Sequence, residues 1–185
     1  MPKLGIIDRN DTVFVSIDIQ EKFMSVIHSI DQVISNTNVL LKAARILDIP
    51  LVLTEQYPQG LGETSQKIHL SPEERSNAIE KMSFSCFASD EFASRIKKLN
   101  RDSLVLFGIE THVCLLQTAL RGVKEGYAVH VIADATSSRT LENKSLALDR
   151  MRHAGVFVAS TEMVLFQLLT IAGTAEFRKI SKLIK

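Results

Sequence analysis

Cysteine is scarce in this sequence. Only Cys86 and Cys114 occur in 185 residues, too few for a disulfide scaffold and not spaced like a metal finger. A reducing compartment is the natural expectation: intracellular, cytoplasmic before organellar (mitochondrial). Net charge is almost absent too. Twenty-two Lys and Arg face 21 Asp and Glu, for a formal +1. No broad basic field therefore draws the chain onto phosphates or an anionic membrane, and neither nucleic acid nor membrane is expected as a partner. Long apolar runs are missing. The most apolar segment, residues 163–172, is too short to cross a bilayer and contains Gln167. Residues 1–11 lack an uninterrupted apolar stretch and carry Asp8 and Asp11, so neither a signal nor a transit peptide is expected. Glycine-rich nucleotide fingerprints, phosphate loops, paired zinc-protease histidines and serine nucleophile elbows are all lacking.

What remains is ordinary in composition, 45% apolar and 23% charged, and suits one domain spanning residues 1–185. Strand and helix patterns alternate along it. Residues 12–19 form a nearly continuous apolar run, the mark of a strand covered on both faces, with Asp18 at its C-terminal end. A helix is expected from Asp31, as N-cap, to Leu47, and Pro50 stops it. Residues 51–54 read as a second strand. From Tyr57 to Ser83 the pattern weakens into a long loop with a helix start at Ser71-Pro72, and Lys81 lies near its end. A helix over residues 89–99 leads to a strand at 104–107, which Gly108 breaks. Residues 128–133 form another strand ending at Asp134. Thr136, Ser137 or Ser138 caps a helix ended by Gly155, residues 156–159 are the last strand, and an apolar helix covers 163–172. That helix is either wholly buried or packed on another subunit. The basic and apolar tail, 177–185, reads as a docked terminal helix. Alternation of this kind is the grammar of a three-layer α/β/α domain around a parallel sheet, whose ligands sit beyond the C-terminal strand ends.

The stretch Leu104-Val-Leu-Phe-Gly-Ile-Glu-Thr-His-Val-Cys114 concentrates the chemistry. Val113, Leu116, Leu120 and Val123 recur at helical spacing, so a helix should begin near Val113 with Cys114 in its first turn. Free N–H groups there carry partial positive charge, which would lower a thiol's pKa and receive an oxyanion. The alternative is that Cys114 is simply core, since free cysteine is among the most buried residue types. Its partners decide between the two.

Asp18-Ile-Gln20 with Phe23, Lys81 after a long loop, and Gly-Ile-Glu-Thr-His-Val-Cys114 together resemble the isochorismatase-like cysteine hydrolases. Residues 55–62, Glu-Gln-Tyr-Pro-Gln-Gly-Leu-Gly, look like those of the isochorismatase domain-containing subgroup. The resemblance covers about residues 12–172. It implies a six-stranded parallel sheet in the order 3-2-1-4-5-6, a homo-oligomer (dimer or tetramer), and a catalytic triad of Asp18, Lys81 and Cys114. It also implies a non-proline cis peptide at Ile109–Glu110 and an oxyanion hole from the N–H groups of Glu110 and Cys114. Chemically the triad makes sense. A thiol of ordinary pKa, about 8.5, needs a base or a positive field to attack at neutral pH. Asp18 supplies the base and Lys81 the field. The metal-binding histidines of nicotinamidases have no counterpart at Glu55-Gln56-Tyr57, so neither metal nor cofactor is expected.

Phe23, Gln56, Tyr57, Leu61, Phe84 and His112 are candidate walls for a small-molecule substrate pocket. His112 either lines it or packs, and Cys86 is a buried thiol or a second lining group. His28, His130 and His153 read as structural or surface groups. The leading expectation is a metal-independent cysteine hydrolase that cleaves a small amide-like or acyl substrate through a thioester. A second is a family member without useful turnover that serves as an interaction or regulatory protein. Nucleic-acid processing is a third, disfavoured by the near-neutral charge.

Overall fold

The structure, a computed structural model, describes residues 4–184; Met1, Pro2, Lys3 and Lys185 lie outside that range. Six strands form one parallel sheet in the order β3-β2-β1-β4-β5-β6: β1 (Thr12–Ile17), β2 (Leu51–Gln56), β3 (Ile79–Lys81), β4 (Ser103–Ile109), β5 (Ala128–Ser137) and β6 (Phe157–Ala159). The helices are α1 (Ile30–Leu47), the short α2 (Pro58–Leu61) and α3 (Pro72–Ser76), α4 (Asp90–Leu99), α5 (Leu116–Lys124), α6 (Leu141–His153), α7 (Thr161–Leu169) and α8 (Ala175–Ile180).

Side-chain alternation sorts the strands onto two cores. Phe14, Val105, Phe107 and Ile109 face one way and pack with Leu40, Leu41, Ala44 and Leu47 of α1, Val164 and Leu165 of α7, and Ile180 of α8. Val13, Val15, Ile17, Leu104 and Leu106 face the other way, toward Phe92 and Ile96 of α4, Ala119 of α5, and Leu148 and Met151 of α6. With both faces covered, β1 and β4 have no need of polar residues, and every residue in them is buried. The fold is three-layer α/β/α with the strand order the resemblance implied.

Several boundaries differ from the sequence reading. Ser29, not Asp31, precedes α1; it is left-handed and makes no side-chain cap, and Asp31 sits in the first turn. Thr140 caps α6 by accepting the Asn143 N–H, because β5 runs on through Thr136 and Ser137. The α7 helix stops at Leu169, three residues early. Gly108 does not break β4. It stays inside the strand at φ +116°, where a Cβ would stand 2.1 Å from the Ile17 carbonyl oxygen. Only glycine permits that approach of β4 to the end of β1.

Strands β1 to β3 step outward in one direction, and the chain then returns to lay β4 on the other side of β1. The order reverses between β1 and β4, so a crevice opens beyond their C-terminal ends. Asp18 follows the first of these strands directly, and Cys114 lies one turn beyond the second.

Candidate active site

Asp18 follows β1 in the left-handed region, φ +54°, a conformation that aspartate tolerates better than most residues. Its N–H donates to the Thr54 carbonyl at 3.1 Å, which ties the turn to β2. The carboxylate is buried, and each of its oxygens has a donor. Thr54 Oγ1 donates to Oδ1 at 2.7 Å, and Lys81 Nζ donates to Oδ2 at 2.7 Å. Lys81 comes from β3, a three-residue edge strand inside the stretch that the sequence reads as loop. Its ammonium also reaches Gln56 Oε1 at 2.7 Å and the carbonyls of Ser83 and Phe84 at 3.3 and 3.5 Å. Burial works against the Lys81 charge, but the Asp18 carboxylate, by its charge and its hydrogen bond, outweighs it, and the lysine pKa is raised. Lys81 is thus a fixed cation with no proton to give.

Gln56 is the hinge of the arrangement. Its backbone N–H donates to Gln20 Oε1 at 2.8 Å, while Gln20 Nε2 donates to the Gln56 carbonyl at 2.9 Å. Its side-chain amide donates to the Met82 carbonyl at 2.8 Å. With Nε2 so committed, Oε1 faces Lys81 and lies 3.9 Å from the Cys114 sulfur.

The helix expected at Val113 opens instead as a π-helical turn over Thr111–Leu115, which runs directly into α5. The Ile109–Glu110 peptide before it is cis. Thr118 Oγ1 donates to the Cys114 carbonyl at 2.7 Å and accepts the Cys86 N–H at 2.9 Å, so one hydroxyl braces the backbone of both cysteines. The expected lowering of the Cys114 pKa is not what the site produces. Burial, then the Asp18 charge, pushes the thiol well above its ordinary value, and Lys81 offsets only part of this. Desolvation beside a carboxylate outweighs the neighbouring ammonium. Cys86, wholly buried, is pushed up to about 11 for the same first reason.

Asp18, Gln56, Glu110 and Cys114 meet Phe23, Leu61, Phe84, Ile109 and Val113 around a cavity of about 110 Å³. Larger surface hollows exist, including a groove of about 730 Å³ lined by Glu55, Arg75 and Glu80, but the three larger ones formed by described residues bring no cysteine to their walls. Four of the six pocket candidates, Phe23, Gln56, Leu61 and Phe84, therefore border the cavity. Tyr57 and His112 do not. Tyr57 turns left-handed at φ +39° and its ring fills the space where Gly60 has no side chain. His112 Nδ1 is drawn to Ser138 Oγ at 2.9 Å. The pattern also missed Thr54 and Thr118. Thr54 lies two residues before Gln56 in the same strand and so shares its face, a signal available in the alternation. Among the described residues, no group of three or more His, Cys, Asp and Glu is placed to hold a metal ion. Nor is any helix there long and apolar enough to cross a membrane.

Comparison with known proteins decides the family, since the Isochorismatase domain pattern matches residues 12–163. The chain belongs to the isochorismatase family. It is 40% identical over 99% of its length to a Phytophthora sojae protein named secreted isochorismatase effector Isc1, covering 89% of that protein. It is also 40% identical to isochorismatase domain-containing protein 1 of Salmo salar, over 98% of this chain and 64% of the salmon protein. Among solved structures, a Caenorhabditis elegans protein described as MAR1 ribonuclease superposes with a TM-score of 0.87 at 34% identity. That match covers 96% of this chain and 91% of the worm protein. Isochorismatase-family membership supports a hydrolase-like protein in general terms.

Proposed function

We propose that this isochorismatase-like domain, taken as one unit over residues 1–185, is a metal-independent cysteine hydrolase that cleaves a small amide or related acyl compound. The observation that carries the reading is the buried Asp18–Lys81 ion pair beside a cavity that Cys114 also lines. Because the thiol pKa is raised, the resting enzyme holds Cys114 as a thiol. Attack and deprotonation are then coupled. As Sγ bonds to the carbonyl carbon, its proton passes to Asp18, and the developing oxyanion is received by the Glu110 and Cys114 N–H groups. Collapse breaks the C–N bond. The nitrogen leaves with the electron pair and takes the proton from Asp18, which releases ammonia or an amine and leaves a thioester. Water then attacks the thioester and gives a proton to Asp18. The sulfur departs, recovers that proton, and frees the acid. Lys81 keeps Asp18 oriented through the cycle while Gln56 and Thr54 hold both in place.

The test is ammonia release across a panel of small amides, comparing wild type with Cys114→Ala and Cys114→Ser. Turnover by wild type alone is the expected result. A folded Cys114→Ser protein with full turnover would remove the proposal. An interaction or regulatory protein without useful turnover, the second expectation, would show no release from any amide in that panel.

A second reading, RNA cleavage, is favoured by one observation, the worm structure described as a ribonuclease. The near-zero net charge and a cavity of about 110 Å³ argue against it, as a nucleotide needs a pocket nearer roughly 300 Å³ or more. Salt-sensitive RNA cleavage that vanishes in Cys114→Ala would favour it over amide hydrolysis. We also propose self-association, supported by Met163 and Phe166 of α7, which leave large apolar side chains exposed. Light scattering of purified protein tests this. A reducing, intracellular setting fits the two unpaired cysteines, and fractionation of cells checks it.

A further inference from the structure

The charges around the cavity are arranged asymmetrically. Two carboxylate residues line it, Asp18 and Glu110, and no cationic residue among the described residues does. Both counter-charges stand behind the wall. Lys81 is wholly enclosed, with four oxygen acceptors for its three protons. Arg139 clasps Glu110 Oε2 from the solvent side through its backbone N–H and Nε, each at 3.1 Å, while its side chain stays 59% exposed. The remaining wall is mostly apolar, and the space is modest. It falls below the roughly 150 Å³ of a cavity that accommodates benzene.

We propose that this site selects compact, uncharged acyl groups and rejects those that carry a carboxylate, with Glu110 as a specificity-determining residue. The proposal rests on the cysteine-hydrolase reading and names its substrate class. A carboxylate on the acyl chain would lose its hydration among Phe23, Phe84 and Ile109. It would find no cation in the wall to replace that hydration, because Lys81 and Arg139 are already paired with Asp18 and Glu110. An amide with a short aliphatic acyl chain meets none of these costs. Rejection by misplaced charge separates analogues far more sharply than a missing methylene does. An aromatic acyl group fails on size.

Two measurements test this. In the first, kcat/KM is compared for isobutyramide, succinamate and benzamide. The neutral aliphatic amide should exceed both others by at least about tenfold, a modest demand for one uncompensated charge in a poorly solvated site. Comparable or faster turnover of succinamate or benzamide overturns the proposal. In the second, Cys114 alkylation by iodoacetamide and by iodoacetate is followed by peptide mass mapping, with each rate normalised to glutathione. The normalised ratio should favour the neutral reagent by about tenfold or more, and Glu110→Gln should narrow it. A normalised ratio near one overturns the proposal, as does a ratio unchanged in Glu110→Gln with its fold intact. If no amide is hydrolysed at all, the hydrolase reading fails, and the reagent pair still decides the charge preference of the cavity.

Discussion

Lys81 Nζ stands 2.7 Å from Asp18 Oδ2, and neither side chain exposes more than 1% of its surface. A buried pair of this kind adds little net stability over an apolar pair, but losing one partner strands the other charge in a poorly polarisable interior. Lys81→Met should therefore lower the unfolding free energy by roughly 3–5 kcal/mol. Urea denaturation at pH 7 measures the loss. The double variant Asp18→Leu/Lys81→Met should recover much of the stability and none of the turnover. A single variant as stable as wild type would mean that the stranded carboxylate has found another partner.

The Cys114 thiol titrates above its ordinary range because of burial first and the Asp18 charge second, with Lys81 pulling the other way. Removing the carboxylate while keeping the ammonium should thus ionise the sulfur more easily. In Asp18→Asn, the pH profile of Cys114 alkylation should move to lower pH even as hydrolysis disappears. Lys81→Met should move the profile upward. A thiol more reactive and yet catalytically dead would separate proton acceptance by Asp18 from simple activation of sulfur.

His130 lies in β5 with its ring stacked on Phe157 at 5.0 Å, wholly buried, and its Nε2 has no hydrogen-bond partner. Burial lowers its pKa from 6.5 to about 4. The unfolded chain binds this proton more readily than the folded one, so stability is complete above pH 6.5. It falls as pH drops towards 4, by roughly 3 kcal/mol in all. Denaturation curves from pH 7 to pH 4 should show this slope, and His130→Phe should flatten it. An unchanged acid limb in His130→Phe would assign the slope to other groups.

Gly108→Ala would drive a methyl group into the Ile17 backbone. Relief requires β4 to move away from β1, the two strands that present Cys114 and Asp18. A melting temperature roughly 8–16 °C lower is expected, since a loss of about 4 kcal/mol in a chain of this size shifts the midpoint by about 2–4 °C per kcal/mol. Calorimetry checks it. Activity per folded molecule should fall as well.

The parts of this architecture that are plain in the sequence are those dictated by burial on both sides. The apolar runs of β1 and β4 can be placed from composition alone, and with them Asp18 and Cys114 at the sheet's C-terminal edge. Strand β3 is hidden because Ile79, Glu80 and Lys81 are too few to display an alternation, and only the family resemblance singled out Lys81. Thr54 is hidden for a different reason: threonine is an ordinary strand residue, and nothing local announces that its hydroxyl will meet a carboxylate 36 positions earlier. Tyr57 and His112 leave the cavity through backbone and side-chain geometry, a left-handed turn and a hydroxyl across the chain, that residue type does not encode. The thiol's raised pKa needs the depth of burial, which only the assembled fold supplies.

The π-helical turn at Thr111–Leu115 holds one more residue than an ordinary helical turn would. Each residue advances a helix by about 100° of rotation. Deleting a single position here would change the phase between β4 and α5 by about that angle, and with it the alignment of Cys114 with the cavity that Asp18 also lines. The spare residue thus works as a phase-setter. It aims a side chain with an angular precision that changing the side chain itself could not achieve.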